Sequence, residues 1–339
     1  MRERLVMAKT WLSAALGMLL AACAAVPDAA VPAARYDGPI IDMHLHAFRA
    51  NGNGPPGQKV CAGLAADARY DPRDPWPRAF VARGFSDFCG GDAIVGAMTD
   101  AEVRDSTIEA LRRNKAIGVL SGPEALRKEW MAAAPDLFIP GPAFGGSADD
   151  PSLQQLRTGF ANGDLEVFAE ITTQYRGIKA DDPVLEPYWQ MAAELDVPVG
   201  IHIGVGLPGS PHLYPDFVLQ SPRSLEPVLK RHPTLRVYAI HAGWPFTDDL
   251  LAMLYAFPQL YVDTGVLQIA TTRAEYHAFL KRLVDAGFVD RIMYGTDQMN
   301  WPGLIDEGIN AINDAPFLTY EQKKMILHDN AARFLRMEP

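Results

Sequence analysis

The sequence predicts a (β/α)8 barrel, in which eight parallel strands alternate with helices around a closed core. Two observations support this fold. Short apolar runs alternate with helical patterns along the chain, and most of these runs are almost continuously apolar. Parallel strands that are covered on both faces have this composition. A doubly wound open sheet is the runner-up, but no glycine-rich dinucleotide fingerprint follows the first strand.

Eight apolar runs are the predicted strands, in chain order. They cover residues 40–44, 116–120, 137–141, 166–171, 197–203, 236–241, 260–263 and 292–295. Helix starts with capping chemistry lie between them. Thr99 with Glu102 fits one capping box and Ser121 with Glu124 fits another. We therefore expect helices to begin after Thr99 and after Ser121.

Residues 48–98 interrupt this alternation. They contain many Gly, Pro, Asp and Arg residues and show no clean period. Because the segment follows the first strand, it would lie over the C-terminal face of the barrel, where barrel active sites are found. Long loops in compact domains are usually functional. We interpret this insertion as a lid or a pocket wall, and the alternative is an insertion without a function.

The first 22 residues have the pattern of a secretory signal peptide. Arg2, Arg4 and Lys9 form a positive region, and residues 11–22 form an apolar run that is too short for an ordinary membrane span. The run ends in Leu20-Ala21-Ala22-Cys23, which resembles the lipobox of bacterial lipoproteins. A plain secretory signal with an incidental cysteine is the alternative.

The lipobox resemblance implies that Cys23 is lipidated and becomes the new N-terminus. More than one acyl chain would then hold the protein firmly on a membrane. Ala24, rather than Asp, follows the cysteine, which favours the outer membrane by the same resemblance. Residues 23–36 would then be the lipidated cysteine and a flexible tether, and residues 37–339 the barrel.

Composition and charge exclude some partners. The chain is 48% hydrophobic and 21% charged, which is an ordinary globular balance, and its net charge is −10. It has no cluster of Lys and Arg that would neutralise phosphates, so nucleic acid is not an expected partner. Apart from Cys23, the chain contains only Cys61 and Cys89. They can form a disulfide in an oxidising compartment, and two buried free thiols are the alternative.

Polar residues close several of the predicted strands. His44 and His46 lie two residues apart on the first strand, so their side chains share one face. Alone, this pair is weak evidence for a metal site. However, His202 ends the fifth run, His241 ends the sixth, and Asp297 follows the eighth. Burying these groups without partners would be costly, and a shared divalent cation explains all of them together.

These segments resemble the amidohydrolase superfamily, specifically its amidohydrolase-related branch, which includes the aminocarboxymuconate-semialdehyde decarboxylase-like enzymes. The segments are Ile41-Asp42-Met43-His44-Leu45-His46, Pro198-Val199-Gly200-Ile201-His202-Ile203-Gly204, Ile240-His241-Ala242-Gly243-Trp244-Pro245, Tyr294-Gly295-Thr296-Asp297 and Asn330-Ala331-Ala332-Arg333-Phe334-Leu335. The resemblance extends from about Asp37 to the end of the chain. Each segment is weak alone, and the combination is specific.

The resemblance implies a distorted (β/α)8 barrel that binds one or two divalent metal ions, most often zinc. In that family the histidines of the first strand and the aspartate of the last bind metal. Histidines of the fifth and sixth strands complete the site. The ligands implied in this chain are His44, His46, His202, His241 and Asp297.

A ligand from the fourth strand marks the family members with two metals. Glu170 resembles the fourth-strand Glu of the TatD-type nucleases, and Lys179 is the alternative. We favour Glu170 because it closes an apolar strand. By the same resemblance, Asp297 would take a proton from the attacking water and pass it to the leaving group. His241 or the metal would polarise the scissile carbonyl.

Loops at the barrel mouth supply candidate substrate contacts. They are Tyr175 and Arg176 after the fourth strand, His212 after the fifth, and Asn300 and Trp301 after the eighth. Arg176 can hold a carboxylate with its two-pronged guanidinium. The alternatives are a surface salt bridge for Arg176 and loop packing for Trp301.

The expected function is a metal-dependent hydrolase that activates water for attack on a small amide, lactone or ester. One alternative is a non-oxidative decarboxylase or lyase, because relatives use the same kind of site for carbon–carbon cleavage. Another is a non-catalytic metal-binding scaffold of the envelope. A TatD-like nuclease is opposed by the acidic charge and the expected location on the periplasmic face. The sequence favours no oligomeric state.

Overall fold

Eight parallel strands lie side by side in chain order. The computed structural model describes residues 34–63, 73, 89, 93–204, 206 and 215–337. The strands are β1 Ile40–His46, β2 Ala116–Ser121, β3 Phe138–Pro140, β4 Phe168–Ile171, β5 Val199–His202, β6 Val237–Ile240, β7 Leu260–Asp263 and β8 Ile292–Met293. All eight predicted strands are confirmed, with ends that differ from the predictions by at most two residues.

The strands form two sheets whose edges meet. One sheet has the order β1-β2-β3 and the other the order β4-β5-β6-β7-β8. Phe144, just after β3, pairs in parallel with Ile171 of β4. On the other side, the backbone N–H of Asp297 donates to the carbonyl of His44 at 2.8 Å and links β8 to β1. The eight strands therefore close into a barrel whose pairing is irregular between β3 and β4 and between β8 and β1. This confirms the predicted distorted barrel.

Helices follow every strand of the barrel. They are α1 Asp100–Arg113, α2 Glu124–Ala133, α3 Leu153–Asn162, α4 Glu186–Glu194, α5 Glu226–Arg231, α6 Thr247–Ala256, α7 Leu267–Ala270, α8 Arg273–Asp285, α9 Leu304–Asn313, α10 Tyr320–Lys324 and α11 Asn330–Leu335. Single 3-10 turns cover Thr173–Arg176, Phe217–Gln220, Pro222–Leu225, His241–Gly243 and Val289–Arg291, and a π turn covers Met325–Asp329. None of the described helices is long and apolar enough to cross a membrane.

One of the two predicted helix starts is correct. The Thr99 side chain accepts a hydrogen bond from the N–H of Glu102 and caps α1. The prediction for Ser121 is wrong, because Ser121 still belongs to β2 and α2 begins at Glu124 without a side-chain cap. The Ser121 hydroxyl instead lies 3.1 Å from Nδ1 of His46. The Ser121 hydroxyl therefore contacts a histidine of the site and does not cap α2.

The inside of the barrel is apolar at one end and polar at the other. Ile41 and Met43 of β1 pack against inward residues of the other strands and against Phe334 of α11. The Phe334 ring also packs edge-to-face against Tyr238, with ring centroids 5.6 Å apart. This cluster fills the N-terminal end of the barrel. The histidines of β1 therefore lie at the C-terminal end, as in other barrels of this kind.

The described part of the insertion packs on the loops that follow β7 and β8. Its strands Lys59–Val60 and Ile94–Val95 pair in an antiparallel hairpin. Val60 packs in a small apolar cluster with Ile269 and Trp301. The described part of the insertion therefore lies at the C-terminal face, and its role as a lid or pocket wall stays a prediction. Cys61, at the end of this hairpin strand, forms a disulfide with Cys89, and their Cα atoms lie 5.7 Å apart.

The predictions for the N-terminal region concern residues outside this description. Residues 1–22, Cys23 and the tether up to residue 33 are not among the described residues. The signal peptide, the lipidation and the anchoring therefore stay predictions.

Candidate metal centre

Polar side chains from six strand ends meet at the C-terminal end of the barrel. They are His44 and His46 of β1, Glu170 of β4, His202 of β5, His241 after β6, Asp263 of β7 and Asp297 after β8. Their ligand atoms form three overlapping groups, and within each group all atoms lie within 4.8 Å of one another. The groups are His44-His46-Asp297, Glu170-His202-His241 and His44-His241-Asp263. All six predicted metal ligands are thus brought together, with Asp263 in addition.

The two histidines of β1 face both predicted carboxylate ligands. Nε2 of His44 lies 3.0 Å from Nε2 of His46, which in turn lies 3.0 Å from Oδ1 of Asp297. Glu170 reaches the same pair, with Oε2 3.6 Å from Nε2 of His46 and Oε1 3.9 Å from Nε2 of His44. Four side chains from β1, β4 and β8 therefore converge on one point.

The histidines of β5 and β6 complete the other side of the site. The rings of His202 and His241 lie with centroids 4.4 Å apart, and the ring of His44 is 5.1 Å from that of His241. Nδ1 of His241 lies 2.8 Å from the carbonyl of Gly265, which can only accept a hydrogen bond. Nδ1 of His241 must therefore carry a proton, and its Nε2 is left to bind a metal ion.

Backbone strain is concentrated at the same strand ends. His241, Ala242, Val266, Asp297 and Met299 have positive φ values of 64°, 50°, 59°, 54° and 48°. Residues with side chains rarely adopt this region, and a β-branched residue such as Val266 does so at a higher cost. Such strain persists only where the surrounding structure enforces it, and it is typical of functional sites.

The electrostatics of the cluster favour a positive charge. Burial lowers the pKa of His44, but the nearby carboxylates of Asp297, Asp263 and Glu170 outweigh it and raise this pKa to about 10. Burial raises the pKa of Asp297, but the imidazoles of His44 and His46 hold it below its ordinary value. Asp297 is therefore ionised at neutral pH and stabilises a cation at this point.

The donor atoms fit a divalent metal ion. Four of the cluster's buried polar atoms have no hydrogen-bond partner among the described residues: Nδ1 of His44, Nδ1 of His202, Oδ2 of Asp263 and Oδ1 of Asp297. Oδ1 of Asp297 lies 3.8 Å from Nε2 of His44 and 3.0 Å from Nε2 of His46, where a metal ion would be bound. Unsatisfied buried polar atoms are rare and need an explanation, such as an ion or water. Imidazole and carboxylate groups together suit zinc and several other divalent ions.

Glu170 and Lys179, the two candidates for the fourth-strand metal ligand, differ in position. Glu170 lies within reach of both β1 histidines, whereas Lys179 is exposed to solvent. Two predicted substrate contacts follow the same strand. The Tyr175 hydroxyl hydrogen-bonds Nε2 of His202, which places it at the centre, and Arg176 is exposed. On this side of the mouth the Tyr175 hydroxyl therefore lies beside the imidazoles, and the Arg176 guanidinium is exposed to solvent.

The predicted contacts after β8 are buried under the insertion. Nδ2 of Asn300 donates to the carbonyl of Ala50 at 3.0 Å, and Nε1 of Trp301 donates to the carbonyl of Gln58 at 2.7 Å. Both side chains therefore hold the insertion on the barrel rather than face the mouth. His212 lies outside the described residues.

Two buried aspartates of the site were not predicted as site residues. Asp263 ends β7 in Leu-Tyr-Val-Asp, which is the same signal of a polar residue closing an apolar strand. Asp42 accepts hydrogen bonds from the N–H groups of His44 and Thr296 at 3.0 and 2.9 Å, and from the Thr296 hydroxyl. Burial raises the pKa of Asp42 to about 7. Asp42 thereby ties the metal-binding end of β1 to that of β8.

A family comparison agrees with this site. The Amidohydrolase family model (Amidohydro_2) matches residues 41–337. The chain belongs to the amidohydrolase family. The predicted superfamily is therefore confirmed for this amidohydrolase, while the lipobox stays a prediction. None of the curated proteins matches the sequence.

Solved structures share the fold of this amidohydrolase. An uncharacterised TIM-barrel protein from Bordetella bronchiseptica is 19% identical, with a TM-score of 0.62 over 88% of this chain and 99% of that one. A probable 2-pyrone-4,6-dicarboxylic acid hydrolase from Acinetobacter baumannii, with citric acid bound, is 14% identical, with a TM-score of 0.54 over 88% and 100%. A 2,6-dihydroxybenzoate decarboxylase from Rhizobium is 15% identical, with a TM-score of 0.52 over 89% and 99%. At these identities the likeness shows the fold alone.

Proposed function

We propose that this amidohydrolase is a metal-dependent hydrolase that adds water to a small amide, lactone or ester. One observation carries the proposal. Glu170 lies between two sets of imidazoles, within 3.9 Å of His44 and 3.6 Å of His46, and in one ligand group with His202 and His241. The cluster thus has enough donors for two ions, and a fourth-strand Glu between them favours hydrolysis over decarboxylation.

Two groups of side chains would hold the ions. They are His44 with His46 and Asp297, and Glu170 with His202 and His241. When bound, divalent cations supply Lewis acidity, which lowers the pKa of water and polarises a carbonyl group. Zinc suits this mixture of imidazole and carboxylate donors.

The chain's own side chains would handle the proton and the carbonyl. Asp297 is ionised at neutral pH because the imidazoles of His44 and His46 lower its pKa, so it can accept a proton from water and deliver it to the leaving group. His241 is held by its hydrogen bond to Gly265 and would help polarise the scissile carbonyl. The Tyr175 hydroxyl lies beside His202, where it would contact the substrate.

A carboxylate on the substrate would suit this mouth. Two structural neighbours, the hydrolase and the decarboxylase above, are named after compounds that are carboxylic acids or carboxylates. In this chain Arg176 is exposed just after β4 and can pair with a carboxylate through both prongs of its guanidinium. Esters and lactones that carry a carboxylate therefore belong among the first substrates tested.

Metal analysis combined with a substrate panel tests the proposal. The purified full chain is expected to contain up to two equivalents of zinc and to hydrolyse members of a panel of lactones, esters and amides. A chelator is expected to abolish this turnover. A matched panel of aromatic carboxylic acids is assayed for carbon dioxide. Release of carbon dioxide without addition of water, and no hydrolysis in the first panel, would replace the hydrolase by the decarboxylase alternative.

We also propose that the protein is a lipoprotein on the periplasmic side of the envelope. The positive region, the short apolar run and Leu20-Ala21-Ala22-Cys23 support this location. The disulfide between Cys61 and Cys89 is typical of an oxidising compartment. Incorporation of labelled palmitate should depend on Cys23 and be lost in Cys23→Ser. Labelling that persists in Cys23→Ser would contradict the anchor.

A further inference from the structure

Asp263 is a fully buried carboxylate that the two proposed ligand groups do not use. It ends β7 beneath the histidines of β1 and β6. Its Oδ1 accepts hydrogen bonds from the backbone N–H of His241 at 3.0 Å and from that of Gly265 at 2.8 Å. Its Oδ2 has no hydrogen bond among the described residues and lies 3.5 Å from Nδ1 of His44.

The same segment holds His241 at a second point. Asp263 holds the N–H of Gly265, and the carbonyl of the same residue, in the next peptide unit, accepts the Nδ1 proton of His241 at 2.8 Å. His241 is therefore held both by its backbone and by its ring. One carboxylate of β7 thus reaches ligands from two other strands, β1 and β6.

Two glycines leave room for the contact between Asp263 and His44. A Cβ on Gly265 would lie 2.6 Å from Nδ1 of His44 and 3.1 Å from Oδ1 of Asp263. A Cβ on Gly295 would lie 3.1 Å from Cγ of Asp263 and 3.1 Å from Cβ of His44. Neither glycine has a positive φ, so space rather than backbone conformation requires glycine there. The imidazole and the carboxylate are packed together with no side chain between them.

We infer that Asp263 is a positioning residue that sets the tautomer and direction of His44 and the placement of His241. A carboxylate beside Nδ1 keeps the proton on that nitrogen and leaves the Nε2 lone pair for a cation. Nε2 of His44 is the atom that faces Nε2 of His46 and Oδ1 of Asp297. The inference rests on the metal centre of the proposed function and not on its reaction.

Direct metal binding is the competing role for Asp263, since it forms a ligand group with His44 and His241. Two features favour positioning. Its Oδ1 is already occupied by two backbone donors, and its Oδ2 faces Nδ1 rather than Nε2 of His44. The number of metal ions bound distinguishes the two roles, because a lost ligand removes an ion whereas a lost positioning contact weakens its binding.

Asp263→Asn is the sharpest variant. The amide oxygen keeps both backbone hydrogen bonds, while the amide N–H groups face Nδ1 of His44 and force the proton onto Nε2. Zinc affinity of the full chain, measured by competition with a chromophoric chelator, should fall about 10–100-fold. Zinc stoichiometry and the unfolding midpoint of the metal-free protein should stay at their wild-type values. Asp196→Asn, at the opposite end of β5, is the matched control and should bind zinc like the wild type.

Wild-type affinity in Asp263→Asn, or the loss of a whole equivalent of zinc, would overturn the inference. If the variant does not fold, NMR of the zinc-loaded wild type with 15N-labelled histidine decides. It should show His44 protonated at Nδ1 and coordinated through Nε2, and coordination through Nδ1 would overturn the inference. A wild type without zinc affinity would overturn the metal centre as well, which separates that failure from a failure at Asp263 alone.

Discussion

Gly265→Ala tests how rigidly the barrel holds His44. The new Cβ would lie 2.6 Å from Nδ1 of His44, whereas ordinary van der Waals contact begins at 3.4 Å. The ring or the loop must therefore move by about 0.8 Å, which is the difference between these two distances. Asp297 prevents a shift of the loop the other way, because its Cβ would lie 3.3 Å from the new methyl group.

A shift of this size should lower catalytic efficiency far more than it lowers the free energy of unfolding. Overpacking of a filled site costs about 1–3 kcal/mol of the free energy of unfolding. Misplacing a catalytic group by about 1 Å can cost about 100-fold in rate. We therefore expect Gly265→Ala to unfold at slightly lower urea concentration, to bind zinc more weakly, and to lose about 100-fold in kcat/KM.

The assay compares urea unfolding, zinc competition and kcat/KM on the best substrate of the panel. Gly145→Ala is the matched control, because its new Cβ would have neighbours no closer than 3.5 Å. It should behave like the wild type in all three measurements. Wild-type zinc affinity and kcat/KM in Gly265→Ala would refute the reasoning, since His44 would then tolerate the displacement.

Three further predictions concern the metals and the insertion. Dialysis against a chelator should abolish hydrolysis, and added zinc should restore it, as followed by turnover of the same substrate. Glu170→Gln should lower zinc stoichiometry from two equivalents to one, measured by atomic absorption, whereas exposed Lys179→Ala should keep two. Replacing Cys61 and Cys89 by Ser removes a cross-link over 28 residues and should cost about 3–4 kcal/mol in urea unfolding.

Each of these predictions has a contradicting outcome. Turnover that survives chelation with no bound metal would exclude a metal-dependent reaction. Two equivalents of zinc in Glu170→Gln would remove the fourth-strand carboxylate from the ligand set. An unchanged urea midpoint in the double serine variant would show that the insertion is held by its apolar contacts with Ile269 and Trp301 instead.

The strands were predictable because each is buried on both faces. Burial of this kind requires a short, almost continuous apolar run, and loops with polar and turn-forming residues bound each run. The run of residues 260–263 has the predicted ends, since Leu260 follows a turn and Asp263 is the first ionisable residue after the apolar stretch. The inserted hairpin was not predictable, because Lys59–Val60 and Ile94–Val95 are too short to show a period.

The backbone conformation and the burial of individual site residues could not be predicted from the neighbouring sequence. The left-handed backbones of His241, Val266 and Asp297 are imposed by contacts with other strands, so propensities of the residues themselves do not indicate them. The burial of Trp301 under the insertion has the same origin, since its partner Gln58 is far away in sequence. Residues of this kind are located only when the strands are placed side by side.

Asp42 and Asp263 show what a purely ligand-based interpretation of the sequence leaves out. Each is buried, and each accepts a backbone N–H hydrogen bond at or beside a ligand on another strand. Asp42 accepts from Thr296, next to Asp297, and Asp263 accepts from His241 itself. β8, which precedes Asp297, is only two residues long, so its hydrogen bonds to the neighbouring strand hold this segment weakly. The buried carboxylates supply the missing connections between strands. A polar residue at the end of an apolar strand in such a barrel therefore indicates the metal site in either of two roles. It can bind the metal directly, or it can position a side chain that does.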